Sequence, residues 1–239
     1  MTSFTQTQEW AVINAVANGM LRSWIGPPLL FRHRRWWRSW WEGHAVSLRD
    51  LVLDLPPGRL RITSDPLSPL EPVFNDRWTT VPWQTALVDL VGDDQALLRS
   101  FNRSARREVE AAPYTYECGG DEFIRLFLDL RPDKPLRLLT SKWWEIPEAR
   151  CYRFFIAPGK GTLGVYSHEG LATEVMASGR CQDALHWQAF RSCRDAGDVL
   201  FDLAGFNPNP QTEKEKGIRA FKLKWSGRMV DTPILERSR

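Results

Sequence analysis

Apolar side chains recur at helical spacing over residues 8–22 (Val12, Ile13, Val16, Met20), so the pattern predicts a helix there, weakened at its far end by Gly19. After Pro27 and Pro28, the segment LLFRHRRWWRSWWEG reads as a second helix. It sets Trp36, Trp37, Trp40 and Trp41 on one side, with Arg34, Arg35 and Arg38 beside or behind them. Two short strands, LRDLVLDL and GRLRITSD, are expected on either side of the turn Pro56-Pro57-Gly58. Pro66, Pro69, Pro72 and Pro82 mark an irregular connector over 65–83. Beyond Trp83 the pattern sharpens. QTALVDL alternates as a strand, and Gly92-Asp93-Asp94 caps one helix running through DQALLRSFNRSARREVEAA to Pro113. YTYECG reads as a strand, and DEFIRLFLDLR and TSKWWEIPEA as helices. RCYRFFIAP, GTLGVYSHEG and LATEVMASGR follow as successive strands. ALHWQAFRSCRDAG is a helix ending on Gly197, DVLFDLAG a strand, EKEKGIRAFKLKWSG a short helix and RMVDTPILER a last strand. Antiparallel strands interleaved with helices argue for an α+β fold.

Composition narrows the class rather than the function. The 239 residues are 43% hydrophobic and 26% charged, enough for one large domain or two small ones, and they exclude a disordered or collagen-like chain. Lys+Arg 32 against Asp+Glu 29 leaves only +3, so any nucleic-acid contact must come from local patches. The cysteines, Cys118, Cys151, Cys181 and Cys193, form no CxxC pair and no zinc spacing with a histidine; buried thiols in a reducing compartment are expected, and no metal site. No stretch has signal-peptide or membrane-span character, so a cytoplasmic protein with no membrane partner is expected.

The chemistry concentrates in residues 201–227, where a buried strand runs into Gly205 and a polar loop, and a short helix then presents Phe221 and Lys222. A lysine so placed can donate hydrogen bonds to a carbonyl that becomes negative during acyl transfer, and the phenyl face can hold a base or an aminoacyl group. The plainer reading is a solvated basic helix whose Phe is core. Four arginines, one histidine and four tryptophans within 32–41 suit phosphates and stacked bases, or else the core of a small N-terminal part. His168 falls in a hairpin and His186 on a helix beside Trp187, where a satisfied structural role is expected. No His/Asp pair stands out as a base. P-loop, GxGxxG, GxSxG and HExxH motifs are absent.

Residues 201–227 resemble the C-terminal signature of the FemABX family, aminoacyl-tRNA-dependent transferases built from GNAT-like domains. The matching residues are Phe201-Asp202-Leu203-Ala204-Gly205, then Gly217-Ile218-Arg219-Ala220-Phe221-Lys222. Upstream, Thr85-Ala86-Leu87-Val88-Asp89-Leu90 and Arg106-Arg107-Glu108-Val109-Glu110-Ala111-Ala112 resemble the family's Thr-x-x-x-Asp-Leu strand and Arg-rich helix. Ala204 stands where the family has the first of two glycines, a mild departure. Only about eighty residues precede Trp83, so a first GNAT-like domain would have to be reduced or rebuilt.

The resemblance implies a GNAT-like mixed, mostly antiparallel sheet over 83–230, a reduced subdomain over 1–82, and a terminal strand over 231–239 that returns to it. It implies transfer of an aminoacyl group from charged tRNA to an amine on a small molecule or a carrier protein, without cofactor, in peptidyl natural-product or cell-wall peptide synthesis. Lys222 would polarise the ester carbonyl, and Phe221 would pack on the terminal adenosine or the amino acid. Arg131, in preference to Arg137, would bind the acceptor. Lys214, Lys216, Arg219, Lys224 and Arg228, together with Arg103 and Arg107, would contact the tRNA. Two alternatives remain: an acyl-CoA-dependent GNAT enzyme and a non-catalytic RNA-binding module. A pyrophosphate-binding (Gln/Arg)-x-x-Gly-x-(Gly/Ala) turn is approached only by Ile156-Ala157-Pro158-Gly159-Lys160-Gly161, with Ile at the first position.

Overall fold

The computed structural model describes residues 21–24, 30–35, 38–45, 60–64, 67, 78–131, 152–168, 170–225 and 228–237. Its strands fall into two sheets. The first contains β1 (Leu21–Trp24), β2 (Leu30–Arg35), β3 (Arg38–Ala45), β4 (Leu60–Ser64) and β5 (Thr79–Val81), and takes in β13 (Ile234–Arg237), in the order β1-β2-β3-β4-β13-β5. The second contains β6 (Gln84–Asp89), β7 (Tyr116–Cys118), β8 (Tyr152–Ala157), β9 (Gly161–His168), β10 (Leu171–Gly179), β11 (Leu200–Phe206) and β12 (Arg228–Asp231), in the order β12-β6-β11-β10-β9-β8-β7. Among the described residues, five helices, α1 (Asp94–Ser100), α2 (Arg103–Glu110), α3 (Gly120–Leu130), α4 (Gln182–Asp195) and α5 (Glu213–Leu223), accompany the second sheet.

The segment read as a tryptophan-lined helix is instead the antiparallel pair β2–β3, with His33 opposite Trp40 and Arg32 opposite Trp41. Its aromatic-rich composition suits a strand at least as well, and a short apolar run does not separate the two periods. The strand β1 likewise begins inside the helix expected over 8–22, whose residues 8–20 lie outside the described residues, as do Trp36, Trp37, the strand expected at 48–55 and the helix expected at TSKWWEIPEA.

The helix expected from Asp94 to Pro113 is broken in two. Phe101 is extended (φ −82°, ψ 157°), and the Asn102 carboxamide oxygen accepts the Ala105 N–H at 2.9 Å, capping α2. An asparagine inside an otherwise helical run competes for the backbone and restarts the helix. The last strand is also two. Pro233 has no N–H for a ladder and restricts the residue before it. Thus β12 pairs with β6 in the second sheet, while β13 crosses to pair with β4 and β5 in the first. The chain makes the same crossing at Pro82–Trp83, and the Thr232 N–H donates to the Trp83 carbonyl at 2.8 Å where the two crossings meet.

Core lies on both faces of the seven-stranded sheet. On one face α1, α2 and α4 pack through Leu97, Phe101, Ala105 and Phe190 onto Val88 and Phe201. On the other, α3 lays Phe123, Ile124 and Phe127 on Phe154, Tyr166 and Met176. Consequently β6 is buried on both sides from Thr85 to Val88, rather than alternating between core and solvent. The β8–β9 turn and the turn from β10 into α4 are pressed together. A Cβ at Gly161 would run into the Arg180 carbonyl, and one at Gly179 (φ +77°) into that of Lys160.

Candidate active site

Within the seven-stranded sheet, β10 and β11 are parallel neighbours, and their pairing is short: Leu171 with Leu200, Ala172 with Phe201, Thr173 with Asp202. Beyond Thr173 and Asp202 they separate. A bulge between Glu174 and Met176 keeps β10 with β9, and an irregularity between Asp202 and Gly205 keeps β11 with β6. The opening lies at the carboxyl ends of two parallel strands, where an α/β sheet offers unpaired backbone and a crevice to a ligand.

Separation leaves the Leu203, Ala204 and Gly205 carbonyls of β11 facing α5. Lys222, 6% exposed, fills that position, and its Nζ donates to all three at 2.5, 3.0 and 3.2 Å. An ammonium has three protons, so these three carbonyls saturate it. The helix is aimed by its start. The Thr212 hydroxyl accepts the Glu215 N–H at 3.2 Å, and the Glu215 carboxylate accepts the Thr212 N–H at 3.0 Å, a reciprocal capping box. Ala204 adopts φ +61°, the left-handed region. An alanine there costs about 1 kcal/mol relative to glycine, so the departure from the glycine pair carries strain rather than being mild.

Two carboxylates flank the ammonium. Asp202, 3% exposed, accepts hydrogen bonds from the Thr85 hydroxyl and, at 2.8 Å, from the Ala204 N–H. Burial dominates its titration. It raises the group from 3.8 to about 6 against the opposing pull of Thr85 and the Lys222 charge. Glu174 reaches His186 with Oε2 at 3.1 Å from Nε2, while His186 Nδ1 lies 2.7 Å from the Gln182 carbonyl. Burial pushes the Glu174 carboxyl up, but the His186 hydrogen bond and the charges of Lys222 and His186 outweigh it and hold the group below its ordinary value. The carbonyl can only accept, so Nδ1 carries a proton. This buried Glu/His pair was not read from the sequence: its members lie twelve positions apart, on a strand and the following helix. Tryptophan and phenylalanine rings enclose it, with Phe221 5.0 Å, Phe190 6.0 Å and Trp225 6.4 Å from His186.

The Asp202 titration has a measurable consequence. Between its ordinary 3.8 and about 6, the folded chain holds a proton that the unfolded chain has released, so this group's contribution to stability falls as pH rises through that window. Asp202→Asn is neutral throughout. The unfolding free energy of the variant minus that of the parent, from urea titrations at each pH, should rise between pH ~4 and ~6 by about 3 kcal/mol. A difference independent of pH would mean that Asp202 ionises normally.

The other expected site residues are distributed around this centre. Phe221 is half-buried against the aromatic core, and the Lys224 ammonium lies 4.7 Å from its ring centre. Lys224, expected at tRNA, turns inward. Its side chain is 12% exposed, with Asp183 against it and Glu108 at 3.2 Å. Lys214 and Lys216 are exposed on α5, Lys216 pairing with Glu213 at 2.7 Å, and Arg219 is half-buried. Arg103 and Arg107 are exposed on α2, and Arg228 on β12 lies 3.6 Å from Asp89. Arg131 ends α3, its N–H donating to the Phe127 carbonyl at 2.9 Å. Leu130 beside it lies next to Gly179 at the far end of β10. Arg137 lies outside the described residues. Cys118, Cys181 and Cys193 are free thiols; Cys193 is buried, whereas Cys118 and Cys181 are partly exposed. Among the described residues no group of three potential ligands could hold a metal ion, and no helix is long and apolar enough to cross a membrane.

No protein-family model matches the sequence, and no curated sequence matches it. Solved structures do match in three dimensions. The crystal structure of FemX superposes with a TM-score of 0.66 at 9% identity, over 98% of this chain and 92% of that one. A C-terminal domain from Agrobacterium fabrum named for lysylphosphatidylglycerol synthetase gives 0.55 at 14% identity, over 98% and 89%. A conserved protein of unknown function from Bacteroides thetaiotaomicron gives 0.53 at 10% identity, over 96% and 88%. The chain has the α+β GNAT-like fold that FemX has.

Proposed function

We propose, starting from the fold shared with FemX, that this chain transfers an aminoacyl group from a charged tRNA to an amine, forming an amide bond. The observation that carries the choice of donor is the start of α4, the helix that follows the separating strand β10. A CoA pyrophosphate would need that helix's first backbone N–H groups and its positive end. Here the first turn presents Asp183, close to Glu108 and paired with Lys224, and the preceding Arg180 N–H is bonded to the Lys160 carbonyl at 2.7 Å. Two carboxylates at this position disfavour a diphosphate. The Ile156–Gly161 stretch is the β8–β9 hairpin turn and leads into no helix.

An aminoacyl ester is already activated, so transfer depends chiefly on holding ester and amine together. The strand gap supplies the place. Lys222 supplies positive charge beside it and, by exchanging its longest carbonyl contact for the ester oxygen, a donor to the oxyanion. Phe221 closes the aromatic wall. Lys214, Lys216, Arg219, Arg103, Arg107 and Arg228 supply the phosphate contacts, and Arg131 is assigned to the acceptor. The acceptor is an amine on a small molecule or a carrier protein, in natural-product or cell-wall peptide synthesis.

The test follows loss of radiolabel from a pool of charged tRNAs, with and without protein and an extract supplying acceptors. Protein-dependent, extract-stimulated discharge of a particular amino acid is expected. No discharge from any charged tRNA, together with saturable binding of acyl-CoA, would move the assignment to an acyl-CoA-dependent enzyme. Steep weakening of tRNA binding by salt is expected if phosphates carry the affinity.

A further inference from the structure

We propose that Glu174 is the proton acceptor for the incoming amine and that His186 is its positioning residue, an inference that rests on the transfer reaction proposed above. Glu174 is the first residue of β10 beyond its last pairing with β11, so it stands where the strand gap opens, with its carboxylate turned to His186 on α4. His186 holds Oε2 from α4, while Oε1 accepts no hydrogen bond among the described residues and the side chain keeps 17% of its surface exposed. One carboxylate oxygen is therefore clamped and the other left available. The His186 ring is 1% exposed and cannot itself meet a substrate; it is pinned by the Gln182 carbonyl on its far side. The ionisable groups around Glu174 are His186 from α4, Lys222 from α5 and Asp202 from β11. The ammonium of Lys222 lies across the gap, which sets a proton acceptor and an oxyanion donor on its two sides.

The step balances as follows. The acceptor arrives as an ammonium and gives one proton to Glu174 Oε1. Its freed lone pair attacks the ester carbonyl, forming the C–N bond and an oxyanion. The C–O bond to the ribose then breaks, and the departing oxygen takes the second proton from nitrogen. Glu174 returns its proton to solvent.

Two probe amines test this on the full chain with charged tRNA. Ethylamine is protonated at neutral pH and needs a base, whereas hydroxylamine is uncharged and does not. Glu174→Gln is expected to slow ethylamine-dependent discharge about a hundredfold or more while leaving hydroxylamine-dependent discharge within about twofold of the parent. The variant's ethylamine rate should climb with pH as free amine accumulates. His186→Gln should give a smaller loss and move the acid limb of the ethylamine profile to higher pH, because Glu174 loses the partner that keeps it ionised. If Glu174→Gln does not fold, the parent alone decides: its ethylamine rate must show an acid limb that its hydroxylamine rate, expressed per uncharged hydroxylamine, lacks. Equal losses with both amines, no loss with either, or identical pH profiles in the parent would overturn the role of Glu174. A parent protein that discharges no tRNA to either amine would overturn the transfer reaction and this inference with it.

Discussion

Lys222→Ala is expected to abolish aminoacyl transfer and to lower the unfolding free energy by roughly 3–5 kcal/mol. Both effects have one origin. The lysine's ammonium satisfies the Leu203, Ala204 and Gly205 carbonyls that strand separation strips of ladder partners, and its charge favours the ionised forms of two buried carboxylates. Its removal leaves buried acceptors unpaired and like charges uncompensated, the costliest kind of core change. Protein that remains folded, judged by circular dichroism at low temperature, should bind charged tRNA within a few-fold of the parent, since the residues assigned to phosphate lie on α2, β12 and the outer face of α5. Transfer per folded molecule should still be undetectable. Near-normal transfer in a destabilised variant would reduce Lys222 to a structural strut and remove the oxyanion role.

Trp225→Ala should cost about 3–5 kcal/mol, whereas Trp225→Phe should stay within about 1.5 kcal/mol of the parent. The indole is 1% exposed and packs among rings from the α1–α2 junction, α4 and α5, with ring centres 5.0 Å from Phe101, 5.4 Å from Phe190 and 6.1 Å from Phe221. Alanine would leave a void beside His186 and loosen the wall that holds it. Phenylalanine keeps most of the apolar surface and deletes an N–H that is buried without a partner among the described residues, so lost packing is offset by relief of a desolvated donor. Urea midpoints of the three proteins give the comparison. A large loss for Trp225→Phe would mean that the indole N–H has a partner in solution, an ordered water being the simplest.

Several features of the fold could be read directly from local pattern. The Asp93 cap of α1, the strand at 84–89, the three strands of 152–179, the helix ending at Asp195 with Gly197 just beyond it, and the strand-loop-helix of 200–223 are all signalled by residues within a few positions of one another. Period, caps and turn residues act at that range, which is why they survive without knowledge of the partner. The same local resemblance, Phe201–Gly205 followed by Gly217–Lys222, pointed to the GNAT-like fold that FemX shares.

Local pattern misled where the outcome depended on a partner. Trp40 and Trp41 suited either period, and pairing of β3 with β2 and β4 decided for a strand. Asn102 could continue a helix or cap a new one, and the α2–α4 packing with the Asn102 N–H donating to the Lys224 carbonyl at 3.2 Å favoured the cap. Thr85–Val88 alternated on paper, yet neighbouring strands and both layers buried every position.

The site divides in the same way. Sequence alone determined that Phe221 and Lys222 follow a buried Phe-Asp-Leu strand on a short helix, because those residues are neighbours along the chain. Only the tertiary structure decided that Lys222 binds the carbonyls of residues 203–205, that Lys224 faces Asp183 instead of solvent, and that Glu174 meets His186 at the edge of a gap. The contact of Lys222 with the β11 carbonyls and the place of Glu174 follow from the parting of β10 and β11 after three pairs. Separation of two strands is a property of the whole sheet's bulges and neighbours, and no single segment encodes it.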